Sequence, residues 1–258
     1  MKHVSYSELK NWSHCAFYHK LVHIDKLKLF KGNEYTAFGN AIHDTCEQML
    51  LDEKLEATEH FLKSYKDVLN GLAKDNYDFN KKLVLDMKDQ GLRLLPHIVP
   101  ALEKYFGNYE VVATEEMLYE PIEIGEFSFK GYIDLVLKTE DGRYHVIDWK
   151  TCSWGWNARK KADKMIVYQL VFYKHFYASK HNIDPGLIDV HFGLLKRTAK
   201  KNEVELFKVS SGKKRTQNAL NFLENALYNI INKKYIKNRL ACDGPFGPCE
   251  FKGTKHCP

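Results

Sequence analysis

The hydrophobic pattern changes period near residue 109, and the change divides the chain into a helical front and a strand-rich core. Ser5-Tyr-Ser-Glu8 has the S-x-x-E arrangement in which a serine hydroxyl and a glutamate three residues on satisfy each other's end of a helix. A helix is therefore predicted from Ser5 to about Lys20. A second stretch, roughly Tyr35 to Asn70, reads as one helix or two, and a third covers roughly Asn80 to Phe106, with Pro96 and Pro100 placed to kink it. From Tyr109 the spacing is that of strands, in Glu110–Tyr119, Ile122–Lys130, Gly131–Lys138 and Arg143–Lys150. A helix near Asp163–His181 follows, then strands at about Ile188–Arg197 and Glu203–Val209, and a long helix from about Gly212 to Arg239. In that last helix Ala219, Phe222, Leu223, Ala226, Leu227, Ile230 and Ile231 form the apolar stripe, leaving Lys213, Lys214, Lys233, Lys234 and Lys237 to face water. Helices followed by ββββαββα predict an α/β or α+β fold.

The 258 residues, 44% hydrophobic and 13% aromatic, suffice for a buried core and exclude a disordered, collagenous or minimal stapled chain. A single domain is expected, with no repeat or linker: a helical part over 1–108, an α/β core over 109–210, and a basic helix with a cysteine-rich end over 211–258. No apolar run approaches the roughly 18–20 residues of a membrane span, and MKHVSYSELKNWSHC lacks a signal peptide's apolar core, so a cytoplasmic location in a bacterial or phage-infected cell is expected. Six cysteines in that compartment are expected to be reduced thiols rather than disulfides.

The formal charge of +6 is modest but uneven. Residues 196–240 carry twelve basic side chains against three acids, which fits either a polyanion partner such as nucleic acid or a solvated lysine-rich face.

The sharpest chemical signal is GYIDLVLKTEDGRYHVIDWKTCS, residues 131–153. Thr139-Glu-Asp-Gly-Arg143 reads as a hairpin turn, and a turn centred on Asp141 places Asp134 opposite Asp148. Alternation along the strand puts Asp148 and Lys150 on one face, with Ile147 and Trp149 on the other. Two facing carboxylates repel, and a divalent cation relieves the conflict. Hard oxygen ligands select Mg²⁺ or Mn²⁺, and the adjacent ammonium can hold the attacking water or offset charge on a phosphoryl group in transfer. The plain alternative is a surface hairpin with an ordinary Asp–Lys pair. His43 follows Gly39 on the second helix, Gln169 and Tyr173 lie one turn apart on a later helix, and Thr151 follows Lys150, placed either to cap the strand's exit or to meet a phosphate.

Taken in order, G-x-x-x-H (Gly39, His43), G-x-x-D (Gly131, Asp134), I-D-W-K-T (Ile147 to Thr151) and Q-x-x-x-Y (Gln169, Tyr173) resemble the RecB-like branch of the PD-(D/E)XK nuclease superfamily across essentially the whole chain. The resemblance implies a restriction-endonuclease-like core, a central mixed sheet flanked by helices. It also implies that His43, Asp134 and Asp148 bind the metal with the Trp149 carbonyl, that Lys150 is the catalytic lysine, and that Gln169 and Tyr173 contact DNA or support it. A glutamate on the first core strand is expected nearby; Glu115 and Glu116 both qualify, with Glu116 preferred. CRISPR-associated RecB-like exonucleases and AddB subunits hold a [4Fe–4S] cluster with one cysteine before the core and three after. Cys15, Cys242, Cys249 and Cys257 share that layout, although their C-x6-C-x7-C spacing is loose and zinc or plain thiols remain alternatives.

The expected function is a Mg²⁺- or Mn²⁺-dependent DNA nuclease. An exonuclease on single-stranded DNA or DNA ends is favoured over a structure-specific endonuclease or a non-catalytic DNA-binding subunit, with a helicase, recombinase or other replication or repair protein as partner. Lys196, Arg197, Lys213, Lys214, Arg215 and Thr151 are the expected DNA contacts, and Trp154 and Trp156 are candidates either for stacking on unpaired bases or for packing in the core.

Overall fold

Residues 2–244 and 247–258 are described by the structure, a computed structural model. Its first half is β1 (Lys2–Ser5), α1 (Tyr6–His14), α2 (Ala16–His19) continuing into a π-helical turn, α3 (Glu34–Leu51), α4 (Ala57–Lys74), α5 (Lys81–Leu94) and α6 (Ile98–Phe106). The second half is β2 (Tyr109–Pro121), β3 (Phe127–Thr139), β4 (Tyr144–Cys152), α7 (Ala158–Lys161), α8 (Lys164–His181), β5 (Ile188–Lys196), β6 (Val204–Val209), α9 (Lys213–Ile231) and the short pair β7 (Asp243–Gly244) and β8 (Gly247–Pro248). The fold is a mixed α/β arrangement with a central mixed sheet flanked by helices. No described helix is long and apolar enough to cross a membrane.

The chain forms two compact units. One comprises Met1–Lys31, Tyr119–Gly131 and Gly212–Pro258; the other comprises Gly32–Leu118 and Tyr132–Ser211.

In the second unit, β4 pairs antiparallel with β3 and parallel with β5, and β5 pairs antiparallel with β6. The β3–β4 register runs from Lys138↔Tyr144 to Leu135↔Ile147, as a turn centred on Asp141 requires, and Gly142 takes φ +78° to close it. One face of this sheet, through Leu135, Leu137, Ile147, Trp149 and Leu195, packs on Phe38, Ile42, Phe61, Met87, Leu94, Ile98 and Leu102 from α3 to α6. By alternation, Asp148 and Lys150 point away from the face that carries Ile147 and Trp149, and α8 packs on β4 and β5. The helical stretches end where side chains offer caps: Asn33 and Thr36 exchange bonds at the start of α3, and Asp163 accepts from Met165 N–H at 2.8 Å to open α8. Pro96 sits in a tight 3₁₀ turn between α5 and α6 rather than bending one long helix.

In the first unit β1, which periodicity did not predict, runs parallel to Phe127–Lys130, the opening residues of β3. The expected strands Ile122–Lys130 and Gly131–Lys138 are a single strand. The chain reverses before it, over residues 122–126, where Gly125 at φ +66° makes the turn and Ile122 N–H donates to Phe127 O at 2.9 Å. The first helix is interrupted at Cys15, whose backbone is extended (φ −159°, ψ 115°). Only half of the capping box forms there: Ser5 Oγ accepts from Glu8 N–H at 3.2 Å, but the Glu8 carboxylate bonds the buried His19 at 2.8 Å. The last helix stops at Ile231, eight residues before the predicted Arg239, and Ile231 itself is exposed.

Candidate active site

β4 delivers Asp148 and Lys150 two residues apart, and on β3 Asp134 immediately precedes Leu135, which pairs with Ile147. Asp148 is buried, and Lys150 Nζ lies 2.6 Å from its Oδ2 as an ion pair. That oxygen has no aligned hydrogen-bond donor, so it is a buried carboxylate oxygen without full compensation. Asp134 Oδ2 accepts from the Trp149 N–H at 2.7 Å, and α3 brings His43 Nδ1 to 3.6 Å from the same oxygen. Trp149 is held in turn by Gly193, opposite it on β5. A Cβ there would lie 2.2 Å from the indole, so only glycine lets the ring lie flat over the strand.

The electrostatics follow from crowding. Burial pushes the Asp148 carboxyl up to about 6; Lys150 opposes the shift, and Asp134 adds to it. Asp134 is also pushed up to about 6, by burial first, against the pull of Lys150 and the Trp149 N–H and with further upward pressure from Glu115 and Glu47. His43 is driven down to about 4 by burial and by Lys150, so at neutral pH its imidazole is uncharged and keeps a lone pair. On α8, Gln169 Nε2 donates to Tyr173 Oη at 3.1 Å; Tyr173 is buried and Gln169 half-buried. Thr151 faces α3, its Oγ1 within 3.7 Å of where a Cβ on Gly39 would stand, which is ordinary contact and no bar to alanine at that glycine.

Three expected residues are placed elsewhere. The Glu116 carboxylate is bound by Lys180 at 2.6 Å and His181 at 2.9 Å, so it is already neutralised. Its neighbour Glu115 is the glutamate that raises the Asp134 carboxyl, and its φ of +48° breaks the alternation of β2 at that point. The charge that reaches Asp134 is thus that of Glu115, whereas Glu116 is paired with Lys180 and His181. Lys196 is buried and bonded to Glu205 at 3.3 Å, and cannot follow a phosphate backbone. Arg197 donates to Gln90 and Ser153 and stacks over Tyr35, which makes it an organiser of the surface. Lys213, Lys214 and Arg215 are exposed at the start of α9, in the first unit.

Periodicity missed Glu47, one turn after His43 on α3. Burial and Asp44 push its carboxyl up, and its charge reaches Asp134. An acid four residues after a candidate ligand on one helix face was the available signal.

In the first unit the four expected cysteines line one cavity of about 340 Å³, together with His14, Tyr18, Phe251 and the cationic Lys237, Arg239 and Lys252. Cys15 Sγ accepts N–H bonds from Tyr18 at 3.5 Å and Asn238 at 3.3 Å, and Cys249 N–H donates to Cys242 O at 2.8 Å. Cys46 is buried among α3–α6 residues and Cys152 is half-buried on β4.

A sequence model of the PD-(D/E)XK nuclease superfamily matches residues 3–258. The chain belongs to that superfamily, whose members cleave nucleic acids and typically use Mg²⁺ or Mn²⁺. Among solved structures it is similar to a candidate exonuclease from Eubacterium rectale, with a TM-score of 0.61 and 11% identity over 98% of this chain and 86% of that one. It is also matched to SSO0001, at 13% identity and a TM-score of 0.35 over 73% of this chain and 84% of that one, too distant to bear on the fold. No curated protein matches the sequence.

The residues present fit a divalent cation: two buried carboxylates, one of whose oxygens lacks an aligned hydrogen-bond donor, and a neutral imidazole are the donors such an ion takes. Among the described residues no three His, Cys, Asp or Glu side chains are drawn together into a closed ligand set, and the Lys150 ammonium occupies the space beside Asp148.

Proposed function

We propose that the protein is a Mg²⁺- or Mn²⁺-dependent deoxyribonuclease of the RecB-like branch, an exonuclease on single-stranded DNA or DNA ends. The observation that carries this reading is the convergence of Asp134, Asp148, Lys150 and His43, in which both carboxylates are pushed up by burial and by neighbouring acids, Asp148 by Asp134 and Asp134 by Glu115 and Glu47. Asp134, Asp148, His43 and the Trp149 carbonyl would hold the cation, which when bound supplies Lewis acidity at the scissile phosphate. The Trp149 N–H aims Asp134, and the uncharged His43 offers its lone pair. Lys150, tethered at Asp148, orients the attacking water and offsets negative charge growing on the phosphoryl oxygens. Gln169 and Tyr173, bonded to each other on α8, would contact the DNA or support the lysine.

The cysteine cavity supports a structural [4Fe–4S] cluster on Cys15, Cys242, Cys249 and Cys257, with zinc the rival occupant. Cys15, Cys242, Cys249 and Cys257 line one cavity, two N–H donors are turned to Cys15, and thiolates are the ligands that soft metals take.

The test is digestion of end-labelled single-stranded, blunt duplex and circular DNA with Mg²⁺ or Mn²⁺. Linear substrates should shorten from their ends, circles should persist, and EDTA or Asp148→Ala should stop the reaction. Cleavage that survives both treatments, or no cleavage of any DNA, overturns the proposal.

A further inference from the structure

Of the two tryptophans that follow the catalytic strand, the structure half-buries one and presents the other. Trp156 packs edge-on to Phe192 at 5.0 Å and near Phe207 at 6.2 Å, with Lys160 over its ring at 4.7 Å. Trp154 is 75% exposed, more than any other described Trp, Tyr or Phe. It stands four residues after Lys150.

Exposure of that degree on a loose loop would mean little, but this loop is fixed on both sides of the ring. Ser153 Oγ accepts from Arg197 at 2.8 Å, and Ser153 O accepts from Thr198 Oγ1 at 2.7 Å. Gly155, at φ +113°, lies against the alkyl chain of Lys196, with room for no more than a slight shift. Asn157 then caps α7 through the Lys160 N–H at 2.8 Å. The backbone is immobilised while the indole is left in water, which costs hydrophobic free energy unless a flat apolar partner covers it.

Charge indicates which partner. Asn157-Ala-Arg-Lys-Lys161 follows at once, with Arg159 and Lys160 exposed, and Lys164 opens α8. Arg197, which pins the Trp154 loop, also lies 5.1 Å above the ring of Tyr35, itself 51% exposed. Two exposed aromatics organised by one guanidinium, beside a basic turn, suit an anionic chain with accessible ring faces; a duplex hides those faces.

We propose that Trp154, supported by Tyr35 and Arg197, is a stacking platform for unpaired bases, so that the substrate strand crosses β4's exit as single-stranded DNA. The assignment rests on the nuclease reading and specifies its substrate. Trp154 is a positioning residue: it holds the strand and touches no reacting atom.

The experiment uses the full chain in an Asp148→Asn background, which allows binding without cleavage. Anisotropy of a labelled oligo(dT) and of a blunt DNA hairpin with a minimal loop is measured with and without Trp154→Ala and Trp154→Phe. Trp154→Ala should weaken oligo(dT) binding by about tenfold or more, Trp154→Phe should stay within about threefold, and the hairpin should be unaffected. Quenching of tryptophan fluorescence by oligo(dT), lost in Trp154→Ala, is the second readout. Equal oligo(dT) affinity with and without the indole, equal loss on both DNAs, or no oligo(dT) binding at all overturns the platform. Failure of the nuclease reading is seen separately, as absence of cleavage by the unmodified protein.

Discussion

Asp148 is the residue where stability and chemistry oppose each other. Its folded value near 6 lies above the ordinary carboxylate value, so the folded state binds the proton more tightly than the unfolded one. Above pH 6 the ionised side chain therefore costs stability, and the cost falls away as pH drops through 6. Asp148→Asn removes that cost at pH 8. The metal-free variant should be more stable than the parent by about 1–3 kcal/mol and melt higher, while cleavage is lost. Mg²⁺ or Mn²⁺ should raise the melting temperature of the parent and not of the variant. The same scale separates the two adjacent glutamates. Glu115→Gln should raise the metal concentration needed for half-maximal cleavage about 10-fold, as expected of a group next to a ligand. Glu116→Gln, which loses only its pairing with Lys180 and His181, should leave that concentration unchanged.

The elements that carry the site depend on contacts between strands. Gly193 on β5 admits the Trp149 ring, and Trp149 aims Asp134; Gly193→Ala should destabilise the fold by about 1–3 kcal/mol and reduce cleavage in the surviving folded protein. At the hairpin end of β4 and β5, His145 Nδ1 and His191 Nε2 are 3.2 Å apart against the ring of Phe106, with Thr139 bonded to His145 and Asp189, Lys208 and Arg143 nearby. Burial and then His145 drive His191 down to about 3, so the unfolded chain takes up a proton between pH 6.5 and 3 that the folded one refuses. The fold therefore loses stability at this pair as pH falls through that window, while at neutral pH the pair is uncharged in both states and costs nothing. His191→Gln should flatten the acid limb of stability against pH, measured by urea unfolding from pH 7 to 4 relative to the parent. The hairpin register and the strand faces were legible because a two-residue period and an Asp-Gly turn leave little choice. β1 was not: four residues from Lys2 to Ser5 carry no period, and only pairing with β3 makes them a strand. The positive φ at Glu115 was not legible for a related reason, since a break in the alternation of β2 leaves no trace in the spacing of polar residues.

At the scale of the molecule, the charge of +6 divides between two compact units, with Lys196 and Arg197 spent on internal bonds in one and Lys213, Lys214 and Arg215 exposed on α9 in the other. Charge along the sequence therefore overstated the cations free to meet a phosphate. The cysteines behave in the opposite way: far apart in sequence, Cys15 and the C-terminal three meet at one cavity within the first unit. A metal group bridging them closes the long loop from Cys15 to Cys242, and closure of a loop that long removes about 5 kcal/mol or slightly more of unfolded-chain entropy in the simple cross-link picture. Ligand affinity then becomes folding free energy. Cys15→Ser should release iron, bleach the visible absorption and lower the melting temperature by roughly 10 °C, whereas Cys152→Ser, outside the cavity, should keep its iron. Zinc in place of iron would keep the thermal effect without the colour. A Cys15→Ser protein that retains its metal and its melting temperature would show that the cavity is lined by ordinary thiols and that the α1–α2 break at Cys15 has another cause.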